Sequence, residues 1–134
     1  MMSGLPRSGK STVAKALGYP IVEPDAIRQV IHGTPFKPEV EHIIWSQARL
    51  MVQCLFEAGH DDVILDATNG TPARRAEWFS KGWRLKMHVL KTDLMTCLLR
   101  AENAGQHYLI DVIKRMHSQW DTTGIESFSP EYYG

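Results

Sequence analysis

The chain has 134 residues, a length that suits a single domain with one hydrophobic core. Its 15 basic and 15 acidic side chains cancel, which excludes an overall positive field that would attract nucleic acid or an acidic membrane surface. The sequence has no apolar run of about eighteen residues, no basic leader and no lipidation motif, so we expect a cytoplasmic protein without membrane contact.

Short β-branched runs alternate with helical periods along the first half of the chain, which is typical of a layered α/β domain. A strand is predicted at residues 1–3. Because a central strand usually has about five residues, we expect that the sequence begins inside this strand. A glycine-rich loop follows this strand. The next predicted elements are a helix at 11–17, a strand at 19–24 and a helix at 26–31 with Asp25 as its N-cap. A Pro- and Gly-rich stretch at 32–38 then leads to a long amphipathic helix at 39–58.

The second half continues the alternation, while the tail at 122–134 has no clear period and no predicted element. Cys54 and Cys97 lie in apolar helical stretches and are interpreted as reduced core thiols, so no structural metal is expected. The predicted elements of this half are a buried strand at 62–69, a helix at 71–82, a strand at 83–90 and helices at 93–102 and 110–120.

The stretch GLPRSGKST at residues 4–12 has the spacing of a phosphate-binding loop: a glycine, four residues, then Gly-Lys-Ser. Gly4 and Gly9 permit a backbone that wraps phosphate oxygens, and the positive end of the following helix favours anions. In such a loop Lys10 reaches the β- and γ-phosphates and Ser11 holds Mg²⁺ through its hydroxyl group. The sequence thus predicts that ATP or GTP binds with Mg²⁺ through Gly4, Arg7, Ser8, Gly9, Lys10, Ser11 and Thr12.

Asp25 and Arg28, in the stretch EPDAIR, lie three residues apart just after the second predicted strand. This spacing places both on one face of a helical turn, at the sheet edge where open parallel sheets bind ligands. A carboxylate there can take a proton from a hydroxyl group while the arginine holds an anion of the acceptor. Taken alone, however, the pair is more typical of a helix cap with a solvated partner.

The run VILD presents Asp66 at the end of the third predicted strand, beside the phosphate-binding loop. A carboxylate in this place binds Mg²⁺ through water or orients a neighbouring arginine. Thr68 and Asn69 follow at once, and Arg74 and Arg75 lie on the next predicted helix. For the two arginines the sequence leaves a functional role and a solvated face equally open.

Taken together and in this order, the motifs resemble the P-loop kinases typified by the 5'-kinase domain of phage polynucleotide kinase. The matching stretches are GLPRSGKSTVAKAL, PDAIRQ, ILDATNGTPARRAEW and LIDVIKRM, and they extend over most of the chain. The resemblance implies one domain at 1–134, with the three-layer α/β/α P-loop NTPase fold and a parallel sheet of about four strands.

The same resemblance implies a role for each matching residue. Lys10 would act on the phosphates of ATP, Asp25 would be the general base, and Arg28 would contact a phosphate of the acceptor. Asp66 would support the metal or the acceptor side. The residues expected to bind the acceptor are Asp25, Arg28, Thr68, Asn69 and Arg74.

A lid with an arginine that stabilises the transferring phosphoryl group is also part of the family pattern. Here the lid corresponds to about residues 101–109, and Ala104 stands at the position of the family's arginine. Because such an arginine supplies about a thousandfold or more in phosphoryl transfer, we expect Arg100 or Arg115 to substitute, or the transfer to be slow.

These roles predict a kinase that moves the γ-phosphate of ATP to a hydroxyl group, with the 5'-hydroxyl of a polynucleotide as the first acceptor. Two alternatives stay open. A small-molecule kinase, acting on a metabolite, nucleoside or antibiotic, is favoured by the neutral net charge, and a nucleotide-binding module with weak transfer is favoured by the missing lid arginine. The predicted partners are therefore a nucleoside triphosphate and either a nucleic-acid end or a small hydroxyl compound, and a homo-oligomer is compatible with the sequence.

Overall fold

The computed structural model describes residues 1–33 and 36–134. Thr34 and Pro35, in the Pro- and Gly-rich stretch predicted at 32–38, lie outside the described residues. The strands within the described part are β1 (Met2–Ser3), β2 (Ile21–Val22), β3 (Ile64–Leu65), β4 (His88–Leu90) and β5 (Glu131–Tyr133). The helices are α1 (Lys10–Leu17), α2 (Pro24–His32), α3 (Glu41–Glu57), α4 (Pro72–Ala76), α5 (Leu94–Asn103) and α6 (Tyr108–Ser118), with short 3₁₀ helices at Pro38–Val40 and Ile125–Phe128.

The strands pair in parallel in two groups, one in the order β1-β4-β5 and the other formed by β2 and β3. Three hydrogen bonds join the groups where β1 and β3 end, and one of them runs from the Ser3 hydroxyl to the Asn69 carbonyl at 3.2 Å. The Gly4 amide donates to the Thr68 carbonyl at 3.1 Å, and the Asn69 side-chain amide donates to the Met2 carbonyl at 2.7 Å. The carboxyl ends of β1 and β3 therefore lie side by side, which brings the loop after each strand to the same place.

Helices cover both faces of the strands. Successive residues of a strand point to opposite sides, so one strand can pack against helices on both faces. In β3, Ile64 packs in a cluster with Ala14 of α1, whereas Leu65 packs in a second cluster with Ile44 of α3. In β4, Leu90 and Val89 divide between the same two clusters. The domain therefore has the expected three layers, and α5 and α6 pack together in a third cluster around residues such as Cys97 and Ile113.

The tail carries a strand that the sequence analysis missed. Strand β5 pairs in parallel with β4, with Tyr132 opposite Val89, and it adds one strand to the four or so that were expected. Two of its three residues are exposed, so its outer position leaves little apolar pattern in the sequence. The strand predicted at 83–90 is shorter than expected, since only its last three residues pair with neighbouring strands.

Two predicted helix boundaries and the burial of one cysteine are corrected by the structure. Helix α2 begins at Pro24 with Glu23 as its N-cap, so Asp25 lies in the first turn and is not the cap. Proline suits the first helical position because its fixed φ is already helical and its missing N–H would be unpaired there. The helix predicted at 71–82 ends at Ala76, and Cys54 is exposed, whereas Cys97 is buried as predicted.

The predicted lid is mostly helix. Helix α5 runs to Asn103 and α6 begins at Tyr108, which leaves only residues 104–107 between them. Gly105 has a left-handed φ of 70°, and the next amide, that of Gln106, donates to the Ala101 carbonyl at 2.9 Å. A glycine in this conformation ends a helix in a tight turn, so the connection is too short for a long mobile flap. In the described part of the chain, no helix is both long enough and apolar enough to cross a membrane.

Candidate active site

The loop between β1 and α1 takes a shape that requires its glycines. Gly9 has a φ of 100°, and Arg7 has a φ of 67°, which is uncommon for a residue with a side chain. A Cβ atom added to Gly4 would lie 2.6 Å from Ser8 Oγ and 2.9 Å from Leu90 Cβ. The loop therefore folds back tightly over the end of the sheet, and a larger residue at position 4 would push it away.

Hydrogen bonds from neighbouring elements hold this loop in place. The Thr92 hydroxyl, in the connection after β4, donates to the Ser8 carbonyl at 2.7 Å. The Arg100 guanidinium, in the last turn of α5, donates to the Arg7 carbonyl at 3.1 Å. Because these donors belong to the rest of the domain, the loop conformation is fixed by the fold.

Lys10 and Ser11 open helix α1, and Asp66 lies at the end of β3 directly across from them. Ser11 Oγ donates to Asp66 Oδ2 at 2.8 Å, and Lys10 Nζ donates to the Leu5 carbonyl at 2.9 Å inside the loop. Burial lowers the pKa of Lys10, while the negative charges of Asp66 and Asp25 act in the opposite direction. An anion in the loop would add to this opposing effect and favour the charged ammonium.

These groups fit a nucleoside triphosphate with Mg²⁺. Ser8 Oγ is buried and has no hydrogen-bond partner among residues 1–33 and 36–134, so its hydroxyl group is available to bond to a ligand in the loop. The loop leads into the N-terminus of an eight-residue helix, where amide groups and the helix dipole favour phosphate. The hydroxyl of Ser11 and the carboxylate of Asp66 are hard oxygen ligands, which is the ligand type that Mg²⁺ prefers.

Asp25 and Arg28 lie at the start of α2, and the structure adds a third member, Glu41, at the start of α3. Arg28 Nε donates to Glu41 Oε2 at 2.9 Å and its Nη2 donates to Glu41 Oε1 at 2.7 Å, which is a bidentate ion pair. Arg28 Nη1 bonds to Asp25 Oδ1. The Asp25 side chain is 73% exposed, whereas those of Arg28 and Glu41 are only 12% and 16% exposed.

The pKa values of this group reflect the same contacts. Burial acts to raise the pKa of Glu41, but the hydrogen bonds and positive charge of Arg28 outweigh it and hold that pKa below its usual range. The pKa of Glu23, which caps α2, is raised by burial and then by the negative charges of Asp66 and Asp25. Carboxylates from three elements therefore converge at this edge of the sheet.

Sequence reasoning missed both glutamates. Glu23 directly precedes the PDAIR motif at the end of β2, so its position beside Asp66 follows from the pairing of β2 with β3. Glu41 gives no local signal, because it lies 13 residues after Arg28 and reaches it only through the packing of α2 against α3.

Two of the residues expected to bind the acceptor lie at the junction of the strand groups. The carbonyl oxygen of Thr68 accepts the Gly4 amide. Asn69 is 2% exposed, and its side chain donates to the Met2 carbonyl, so its role in this structure is to join β1 to the segment after β3. We leave Asn69 out of the proposed acceptor site for this reason.

The two arginines of α4 differ from each other. Arg74 is half-buried, pairs with Glu77 at 2.9 Å and lies 4.3 Å from the centre of the Trp45 ring, a cation–π distance. Arg75 is buried and donates to the carbonyl oxygens of Asn69, Asp121 and Thr123. Arg75 therefore has neither the solvated face nor an open functional position, because its buried guanidinium holds three backbone carbonyls together, while the Arg74 side chain is 39% exposed.

Ala104 stands where the family has its lid arginine, and the nearby Arg100 contacts the phosphate-binding loop instead. Ala104 follows the last residue of α5, and Arg100 lies one turn earlier with its guanidinium bonded to the Arg7 carbonyl. Arg115, the other residue considered from the sequence, is exposed on α6. The structure therefore brings Arg100 to the edge of the phosphate-binding loop.

A layered parallel α/β domain with a Gly-Lys-Ser loop after its first strand and a carboxylate facing that serine defines the class of P-loop nucleotide-binding domains. Comparison with known sequences agrees with this class: the chain belongs to the AAA domain family, whose model matches residues 1–119. No protein with a curated description matches the chain by sequence.

Two chains are among the solved structures that share the fold. One is a chain of the Pnkp1/Rnl/Hen1 RNA repair complex, with 18% sequence identity, a TM-score of 0.68 and coverage of 90% of this chain. The present chain spans 45% of that one, so it matches less than half of its length. The other is a gluconokinase from Sinorhizobium meliloti 1021, with 21% identity and a TM-score of 0.61, where the match covers 98% of this chain and 78% of that chain.

Proposed function

We propose that this chain transfers the γ-phosphate of ATP to a hydroxyl group. The observation that carries the proposal is the placement of three groups after strands that end at one edge of the sheet: Lys10 in the loop after β1, the hydrogen-bonded pair of Ser11 and Asp66 after β3, and the open carboxylate of Asp25 after β2. The charges of Asp66 and Asp25 both act on the pKa of Lys10, which indicates that the donor side and the acceptor side adjoin.

On the donor side, the loop residues Gly4 and Arg7 to Thr12 would bind the triphosphate, of ATP or of GTP. Lys10 would leave the Leu5 carbonyl for the β- and γ-phosphates. Ser11 and Asp66 would hold Mg²⁺, which neutralises negative charge on the phosphates when it is bound. The buried and bonded position of Asp66 supports this role, because its carboxylate is already aimed at Ser11.

On the acceptor side, Asp25 would take the proton of the acceptor's hydroxyl group while the hydroxyl oxygen forms a bond to the γ-phosphorus. The bond from that phosphorus to the bridging oxygen breaks, and ADP leaves with the electron pair. Asp25 suits this role because its side chain is open to an acceptor while one oxygen is held by Arg28. Arg100, bonded to the loop carbonyl of Arg7, is the proposed source of positive charge for the transferring phosphoryl group.

Two acceptor classes are compatible with this arrangement. A polynucleotide 5'-hydroxyl, the first acceptor indicated by the sequence, is supported by the motif order and by Arg74, which stacks on Trp45 with part of its surface open. A small hydroxyl compound is supported by one specific observation, namely that Arg28 is already paired with Glu41. The likeness to an RNA repair chain and to a gluconokinase does not choose between them, since both structures are below 25% identity.

One assay tests the proposal. ATP labelled at the γ-phosphate is offered with Mg²⁺ to 5'-hydroxyl oligonucleotides, to nucleosides and to a panel of small hydroxyl metabolites. Label that appears in an acceptor with the parent protein and is lost in Asp25→Asn supports hydroxyl transfer. Nucleotide binding without label in any acceptor would contradict it and would favour the nucleotide-binding module.

A further inference from the structure

The pairing of Arg28 bears on what the acceptor site can recognise. A guanidinium has five N–H donors, and in Arg28 three of them bond to carboxylates, two to Glu41 and one to Asp25. The two bonds to Glu41 form the fork geometry that an arginine also uses to bind a phosphate. Glu41 thus occupies the donor pair with which Arg28 would grip an acceptor phosphate.

The charge of the group points in the same direction. Two carboxylates face one guanidinium, so Arg28, Asp25 and Glu41 together carry one net negative charge. The positive charge of Arg74 also acts on Glu41, but Arg74 is itself paired with Glu77. The Arg28 and Glu41 side chains are mostly buried, which reduces the screening of their interaction by water. A phosphate approaching Asp25 would meet a neutralised arginine and an exposed carboxylate.

We propose that Glu41 is a specificity-determining residue, which neutralises Arg28 and selects hydroxyl compounds that carry no phosphate beside the reacting hydroxyl. This inference rests on the proposed function, because it concerns the acceptor side of the same site. Through Arg28 Nη1, Glu41 also helps to orient Asp25, the proposed base. The ion pair therefore gives Arg28 a positioning role in place of a direct contact with the acceptor.

Binding measurements test this proposal separately from turnover. The protein is first saturated with Mg²⁺ and a non-hydrolysable ATP analogue, so that the phosphate-binding loop is filled. The affinities for adenosine and for adenosine 3'-phosphate are then compared by calorimetry in the parent protein and in Glu41→Gln. Glu39→Gln is the matched control, because Glu39 is exposed in the neighbouring 3₁₀ helix and the change removes the same charge.

The parent protein should bind adenosine 3'-phosphate no more tightly than adenosine. In Glu41→Gln the affinity for adenosine 3'-phosphate should rise about tenfold or more, the value of one charge-assisted hydrogen bond, while that for adenosine stays the same. The double variant with Arg28→Gln should lose this gain, since the phosphate then has no guanidinium to bind.

Three results would overturn the inference: a parent protein that prefers the phosphorylated compound, an unchanged affinity in Glu41→Gln, or an equal gain in Glu39→Gln. If Glu41→Gln does not fold, as judged by its circular dichroism spectrum, the preference of the parent protein decides alone. Failure of the proposed function has a different readout. It would appear as absence of label transfer to every acceptor, whatever the binding preference.

Discussion

Replacing Glu41 with glutamine should destabilise the domain as well as change what the proposed acceptor site binds. The substitution keeps the size of the side chain but removes the charge that Arg28 holds through bonds of 2.7 and 2.9 Å. Breaking a fully buried ion pair costs about 3–5 kcal/mol. Arg28 retains Asp25, and both members of the pair keep some solvent contact, so we expect a smaller loss of about 1.5–3 kcal/mol in the free energy of unfolding.

The assay is urea unfolding followed by circular dichroism, with Arg28→Gln and the double variant completing a double-mutant cycle. For a domain of this length, 2 kcal/mol corresponds to a decrease of roughly 6–10 °C in Tm. Each substitution should cost more free energy of unfolding in the parent protein than in the variant that already carries the other substitution, because the first change has already broken the bonds between Arg28 and Glu41. Losses that simply add would refute the inferred coupling between Arg28 and Glu41.

The same loss should depend on pH. The pKa of Glu41 is lowered in the folded state from its ordinary value of 4.5, so its carboxylate binds fewer protons in the folded than in the unfolded chain between the two pKa values. Its contribution is therefore complete above about pH 5 and disappears as the pH falls through the lowered pKa. The stability difference between the parent and Glu41→Gln should shrink over that window, and a difference that stays constant down to pH 3 would refute this reasoning.

Four further substitutions test the phosphate-binding loop and the proposed catalytic groups. Lys10→Met should abolish the rise in Tm that Mg-ATP produces, since the triphosphate loses its ammonium partner; an unchanged rise would remove Lys10 from the site. Asp25→Asn should lower turnover about a hundredfold with little change in ATP affinity, because a base acts on the acceptor. Arg100→Ala should lower turnover of labelled ATP by about a thousandfold, and a loss below tenfold would contradict its proposed role. Gly4→Ala should cost about 1–3 kcal/mol in urea unfolding, because the added Cβ would lie 2.6 Å from Ser8 Oγ.

The phosphate-binding loop could be read from the sequence because its chemistry is local. Gly4, Gly9, Lys10 and Ser11 are held within one turn and the first residues of one helix, so their spacing along the chain largely sets their spacing in space. The position of Asp66 beside Ser11 could also be predicted, since a buried strand that ends in a carboxylate delivers it to the carboxyl edge of a parallel sheet.

Element boundaries were less predictable than element types. The segment at 83–90 has strand-like alternation, but only His88–Leu90 pairs with neighbours, and the segment at 71–82 is helical only as far as Ala76. Strand β5 gave no signal, because its position depends on hydrogen bonds from β4 and on little apolar burial of its own. Backbone hydrogen bonds to a strand that is distant in the chain do not depend on side-chain type, so they give little signal in the local sequence pattern.

The sequence by itself determined the class of the domain, its nucleotide loop and the order in which candidate donor and acceptor residues occur. Only the tertiary structure decided how those residues are paired: Asn69 and Arg75 serve as internal clamps, Arg100 reaches the loop from α5, and Arg28 is neutralised by Glu41. The physical reason is that a motif fixes the neighbours of a residue along one turn, whereas the charge that faces a side chain is set by helices packed from elsewhere in the chain. In this site, the packing of α2 against α3 pairs Arg28 with Glu41, and our proposal for the acceptor rests on that pairing.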